Sequence, residues 1–416
     1  MRILFLSNHV ANEGHGGSGW LTSLADKLKE RDNITLAIGH LSTRPVEKEQ
    51  KDKITYYAIP LAPKGIKDKL KGLFLYNSME PEEKMWNYYI EKCRDIVDDF
   101  HPDIIQVFGS ELYCGLIAGE APVPVILHIQ GFKNACLPMF FPPGITERSY
   151  VWQDKNPYHA YRNWTGLTWW RRNAHTENEI IRKTKYFIGR TSWDKKYITL
   201  FNPQAQYFYG EEMMRPVFYQ HSERVLPPRL TIMTVISAPL YKGYDNILKT
   251  ANVLKNVIGI DFVWNVFGNV NYRLIEKRIK LSHKNLNVRL KGVAPAEIIK
   301  KELEKSTLYF HSSYIENSSN SVIEAQMTGC PVVANYVGGL TTIIKEGING
   351  FLVPANDPYQ AASRVLELFN DKNKNLLIGK QAREIALKQH DREVIVDELI
   401  STYLAITEKE CLQNQN

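Results

Sequence analysis

The chain is predicted to be α/β, with two Rossmann-like doubly wound parallel-sheet domains facing a central cleft. Three observations carry this. Its 416 residues, 44% of them hydrophobic, exceed what one doubly wound sheet comfortably holds. Short apolar runs alternate with amphipathic helical spacings, the pattern of parallel sheets covered by helices on both faces. The alternation comes in two series, separated by Glu223-Arg224-Val225-Leu226-Pro227-Pro228-Arg229, whose paired prolines continue neither a helix nor a strand.

In the first series strands are expected over Ile3 to Ser7, Ile34 to Ile38, Ile104 to Phe108, Val123 to Ile129 and Tyr186 to Gly189, and Trp20, Leu21, Leu24 and Leu28 mark a helix. The second repeats the scheme over Leu230 to Ile236, Phe262 to Phe267, Asn287 to Lys291, Thr307 to His311 and Pro331 to Asn335. Helices are expected around Ala361 to Phe369, Leu376 to Lys388 and Arg392 to Ile406. The division is therefore 1–224, 225–390, and a last helical stretch 391–416 returning to the first domain. Ligand loops of two such domains gather at the strand C-terminal ends, across the shared cleft.

Composition narrows the setting. Five scattered cysteines lack C-x-x-C spacing, which fits a reduced compartment. The apolar run at Ile3 is too short for a signal segment, and no stretch approaches the ~20 apolar residues of a membrane span. A cytoplasmic protein is expected, soluble or at the inner face of a membrane. A net charge of +7 with interleaved acids gives no nucleic-acid footprint. Pro63 to Phe74, where lysines alternate with Ile66, Leu70, Leu73 and Phe74, reads either as a solvated amphipathic helix or as a contact with an anionic bilayer.

Gly14-His15-Gly16-Gly17-Ser18-Gly19 contains G-x-G-x-x-G. A dinucleotide fingerprint is disfavoured, because the glycines do not follow the first strand directly and the second strand ends Ala37-Ile38-Gly39-His40 without an acid. Gly16 and Gly17 instead suit backbone approach to a diphosphate, or else a loop that needs positive φ for connection alone.

The strongest signal is Thr307 to Gly329. A strand enters a loop carrying Glu316, then Asn317, Ser318 and Ser319 offer N-caps to a helix with Val322, Ile323 and Met327 inward. Free N–H groups near Ser319, Asn320 and Ser321, at the positive end of the helix dipole, can receive a pyrophosphate. Glu316 and Glu324 flank it, and carboxylates accept several strong hydrogen bonds from sugar hydroxyls.

These residues resemble the group 1 (family 4) retaining glycosyltransferases of the GT-B type. The shared features are two glutamates separated by seven residues, then Cys330 to Asn335, Gly338-Gly339 and Glu346 to Val353 with Asp357. The resemblance implies that Glu316 contacts the donor sugar and Glu324 the nucleotide ribose. Lys242-Gly243 is similar to the family's K-G motif, which implies that Lys242 neutralises the donor diphosphate and stabilises the leaving group. Backbone groups near Gly292 and Val293 would meet the base. No metal and no separate cofactor is implied.

Departures matter too. Many members carry an arginine upstream of that lysine, whereas Ser237-Ala238-Pro239 stands here, leaving Arg190 as a candidate second cation. Many have a histidine where Gln130 stands, with His128 two residues earlier. Alternation would point both to one side, into the cleft or into the core. Gln130, Phe108-Gly109-Ser110-Glu111 and Gly189 to Asp194 resemble the bacterial capsular and exopolysaccharide branch, making Gln130, His128, Glu111 and Arg190 acceptor-side candidates. Aromatics from Phe140 to Trp170 form either an acceptor platform or ordinary packing.

The implied activity is retaining transfer of a sugar from a UDP- or GDP-sugar to a saccharide or lipid-linked acceptor in cell-surface polysaccharide synthesis. A non-catalytic sugar-nucleotide or saccharide binder and a sugar-nucleotide epimerase stand as alternatives.

Overall fold

The computed structural model describes residues 1–7, 19–42, 48–62, 80–111 and 113–413. The glycine run containing Gly16 and Gly17 lies outside these residues up to Ser18, as does the basic stretch 63–74.

Strands β1 (Arg2–Ser7), β2 (Thr35–Ser42), β3 (Glu49–Lys51), β4 (Ile54–Pro60), β5 (Ile104–Phe108), β6 (Val125–His128), β7 (Tyr186–Gly189) and β8 (Gln206–Tyr209) form one sheet, in the order β3-β4-β2-β1-β5-β6-β7-β8. All its pairings are parallel except β3 with β4. Inner strands such as Ile104 to Phe108, apolar but for Gln106, are buried on both faces, because helices cover both sides of a parallel sheet.

The second sheet is wholly parallel, with β9 (Leu230–Ile236), β10 (Phe262–Gly268), β11 (Val288–Gly292), β12 (Leu308–His311), β13 (Val332–Asn335) and β14 (Phe351–Val353) in the order β11-β10-β9-β12-β13-β14. Its order reverses between β9 and β12. Chains leaving these two neighbours go to opposite faces, so a crevice opens at their C-terminal ends. The architecture is GT-B, as the sequence predicts.

The packing changes hands at Met213 and Met214, which join the cores of the first and second sheet respectively. The helix Arg392–Gln413 lies on the first sheet, with Ile395, Val396, Leu399, Tyr403 and Ile406 buried against residues that include Ile3, Phe5 and Leu24. The two crossings are tied together: Tyr219 donates to His390 O at 2.8 Å, and His390 Nδ1 lies 2.9 Å from Glu212 O. Among the described residues no helix is long and apolar enough to cross a membrane.

Candidate functional site

Lys242 and Glu316 come from the loops after the adjacent strands β9 and β12. Beyond β9 a 3-10 turn, Leu240–Lys242, passes through Gly243 into the helix Tyr244–Asn252. Gly243 has φ +79°, and a Cβ there would stand 1.9 Å from Ser312 O, so only glycine lets the two loops meet. Ser312 Oγ donates to Lys242 O at 2.8 Å, and Tyr314 N to Tyr241 O at 2.7 Å.

The amine of Lys242 consequently reaches Glu316 Oε2 at 2.7 Å. Ser313 Oγ and His311 Nε2 each lie 3.3 Å from the same oxygen. Burial would raise the Glu316 carboxyl, but the Lys242 ammonium and the His311 imidazole outweigh it and hold the group well below the usual carboxylate range. The glycine pair supports this loop: Gly339 N donates to Glu316 O at 3.0 Å, and a Cβ on Gly338 would meet that same oxygen at 1.9 Å.

The helix Asn320–Met327 follows. Its N-cap, Ser319, is extended and makes no side-chain cap; Val322 N turns back to Ser319 O at 3.0 Å, which leaves the N–H groups of Asn320 and Ser321 for an anion. Asn317 Nδ2 and Ser318 Oγ are buried beside it with no partner among the described residues. The hydroxyls of Ser319 and Ser321 lie 3.0 Å apart, and Tyr309 donates to Ser321 at 2.7 Å. Glu324 is buried and accepts from Arg215 Nε at 2.7 Å; burial raises its carboxyl, and Arg215 opposes that rise. Gly292 closes the edge strand β11, and Val293, the next residue, is 80% exposed.

Arg190 is no free cleft cation. It is buried between the domains, donating to Glu212 and, at 3.3 Å, to Asn320 Oδ1. Next to it Thr191 Oγ1 donates to Asn317 Oδ1 at 2.9 Å. His128 lies in the core, its Nδ1 3.2 Å from Gln106 Nε2 and its pKa pushed down to about 3 by burial and by Arg190. With Leu24, Ile188, Tyr209 and Leu399 it lines a small pocket between the first sheet and the helix Arg392–Gln413. Because β6 stops at His128, strand alternation does not extend to Gln130, whose Nε2 is buried.

Glu111 folds over Gly109, where a Cβ would stand 1.9 Å from its Oε2, so the absence of a side chain leaves room for the carboxylate. Burial pushes it up to about 7 against the pull of Lys133. The short helix Lys133–Cys136 is capped by Glu177, which accepts from Lys133 N at 3.1 Å and Asn134 N at 2.9 Å. Its Cys136 thiol is raised to about 12 by burial, with Glu316 and Lys242 close enough to act on it. That helix therefore borders the ion pair of the second domain.

The aromatic stretch divides. Phe140, Phe141, Tyr150 and Trp170 pack with Leu167, Tyr241 and Ile315 across the domain junction. Trp152, Tyr158, Tyr161 and Trp169 stay exposed. The sequence reading missed Arg215, Lys133 and Tyr241, for nothing local marks partners this distant in the chain.

Residues 222–385 match the family model described as glycosyl transferases group 1. A D-inositol 3-phosphate glycosyltransferase of Corynebacterium efficiens is 36% identical over 99 residues, 24% of this chain and 23% of that protein. An uncharacterized 41.2 kDa protein in the cps region of Klebsiella pneumoniae is 26% identical over 199 residues, 47% of this chain and 51% of that protein. The chain thus spans about a quarter and about half of these relatives' lengths. The Anabaena protein HepE, solved in complex with UDP and glucose, shares the fold with a TM-score of 0.64 at 15% identity, covering 97% of this chain and 100% of that one.

Proposed function

We propose, from a GT-B fold whose second half carries the group 1 match, that the protein is a retaining glycosyltransferase. It takes a sugar from a UDP- or GDP-sugar and passes it to a saccharide or lipid-linked acceptor during cell-surface polysaccharide synthesis. The work is done in the cytoplasm or at the inner face of its membrane. The observation that carries this is the Lys242–Glu316 contact of 2.7 Å beside the uncapped start of the helix Asn320–Met327. An amine and the N–H groups of Asn320 and Ser321 stand there, a donor set that suits a diphosphate.

In this reading Lys242 and the helix start hold the diphosphate and stabilise charge on the leaving phosphate, without a metal. Glu316, kept ionised by its neighbours, accepts hydrogen bonds from the donor sugar, and Glu324 from the ribose. The transition state is oxocarbenium-like, and the departing phosphate oxygen takes the acceptor proton. Gly16 and Gly17 supply further N–H groups, and backbone near Gly292 and Val293 meets the base. The polysaccharide role is supported by the similarity to the cps-region protein.

A panel of UDP- and GDP-sugars should yield a donor that raises the melting temperature by mass action and is transferred with retention. Absence of turnover from every donor would leave a binder. Conversion of donor without acceptor would indicate an epimerase.

A further inference from the structure

Lys133 opens the short helix Lys133–Cys136 and is only 8% exposed. Its ammonium lies 4.7 Å from the ring centroid of Trp169 and 4.6 Å from that of Trp170. Indole faces attract a cation but accept none of its N–H bonds in the way an oxygen does. Among the described residues this ammonium makes no ion pair and donates no hydrogen bond. The charges acting on it are Glu111 and Glu177. Glu177 is already satisfied, accepting from Ser110 Oγ at 2.7 Å and from Lys133 N, Asn134 N and Asn134 Nδ2. Among the described residues the Glu111 carboxyl accepts only from its own backbone N–H, which leaves it lone pairs to spare. Trp169, beside Lys133, leaves 46% of its surface exposed.

We propose that Lys133, Trp169 and Glu111 form a saccharide subsite, in which a neutral sugar ring lies on the open indole surface of Trp169 and one hydroxyl bridges the ammonium and the carboxyl. A hydroxyl both accepts and donates, so it satisfies Lys133 and Glu111 together. The apolar face of a ring matches an aromatic plane. The subsite rests on the transferase reading, in which it holds the acceptor opposite Lys242 and Glu316, three residues along the helix from Cys136.

Saturation-transfer NMR with methyl α-glucoside, α-galactoside and α-mannoside, each with UDP present, tests it. The wild type should transfer saturation to the ring protons of at least one glycoside. Trp169→Ala and Lys133→Ala should each weaken that glycoside about tenfold while UDP binding stays unchanged, and Lys133→Arg should restore part of it. Trp169→Ala alters a half-exposed residue, so the test survives if Lys133→Ala fails to fold. No glycoside signal in the wild type, or equal signals in the Trp169→Ala protein, overturns the subsite. Failure of UDP to bind the wild type counts instead against the donor reading, and the glycoside signals still decide this one.

Discussion

The ring of Trp170 in the first domain meets the ring of Tyr241 in the second edge-on, with centroids 6.2 Å apart and planes at 67°. Tyr241 immediately precedes Lys242, and Ile315, in the same cluster, immediately precedes Glu316. The domain junction is therefore built from the chain neighbours of the proposed catalytic pair. Phe140→Ala, which empties the centre of this cluster, should cost about 3 kcal/mol in denaturant unfolding. It should also lower turnover more than the paired change Phe140→Leu, a difference read from kcat.

Gly243→Ala places a Cβ where Ser312 O already stands. The turn must open, which withdraws Lys242 from Glu316. A fall in kcat/KM of about a hundredfold is expected, with a stability loss of about 1–3 kcal/mol. Steady-state kinetics near the wild-type value would contradict the close approach.

Lys242→Ala, Glu316→Ala and Glu324→Ala should each reduce kcat/KM by at least the about 1–3 kcal/mol of a charged hydrogen bond. Full activity in Glu316→Ala undoes the site assignment.

Arg190 and Glu212 are a buried pair at the junction. Arg190→Met alone strands the Glu212 carboxylate and should destabilise by about 3–5 kcal/mol, whereas Arg190→Met with Glu212→Leu should recover most of that loss. A double-mutant cycle in urea measures the coupling; a coupling near zero removes the pair from the account.

Glu111 titrates at about 7 in the folded chain against an ordinary 4.5. A raised carboxyl makes the folded state bind the proton more tightly, so its contribution is full below the unfolded value and is lost as pH rises through 7. Relative to the wild type, Glu111→Gln should gain about 1–3 kcal/mol between pH 5 and pH 8. Parallel unfolding curves at both pH values would reject the shift.

Much of the fold could be read from the chain because inner parallel strands are predominantly apolar runs, interrupted only by Gln106 in Ile104 to Phe108 and by Thr231 and Thr234 in Leu230 to Ile236. Three edge strands escaped that reading, Glu49–Lys51 with no apolar residue, Gln206–Tyr209 only partly buried and Phe351–Val353 only three residues long, and so did the inner strand Ile54–Pro60. The helix Pro157–Lys183 was hidden as well. Its aromatics serve the domain junction at Leu167 and Trp170 and solvent at Tyr158 and Trp169, so no single apolar stripe appears.

By itself the sequence determined what is local: a helix start within Asn317 to Ser319 with Glu316 ahead of it and Glu324 inside the helix, and a lysine-glycine turn at Lys242-Gly243. Tertiary structure alone decided the partners, Arg215 on Glu324, Arg190 on Glu212 and Asn320, and Lys133 between two indoles. Caps and turns follow from bonds within a few residues, which spacing records. A contact such as Arg215 with Glu324, 109 residues apart, exists only once two sheets have twisted and packed, and no local pattern encodes it.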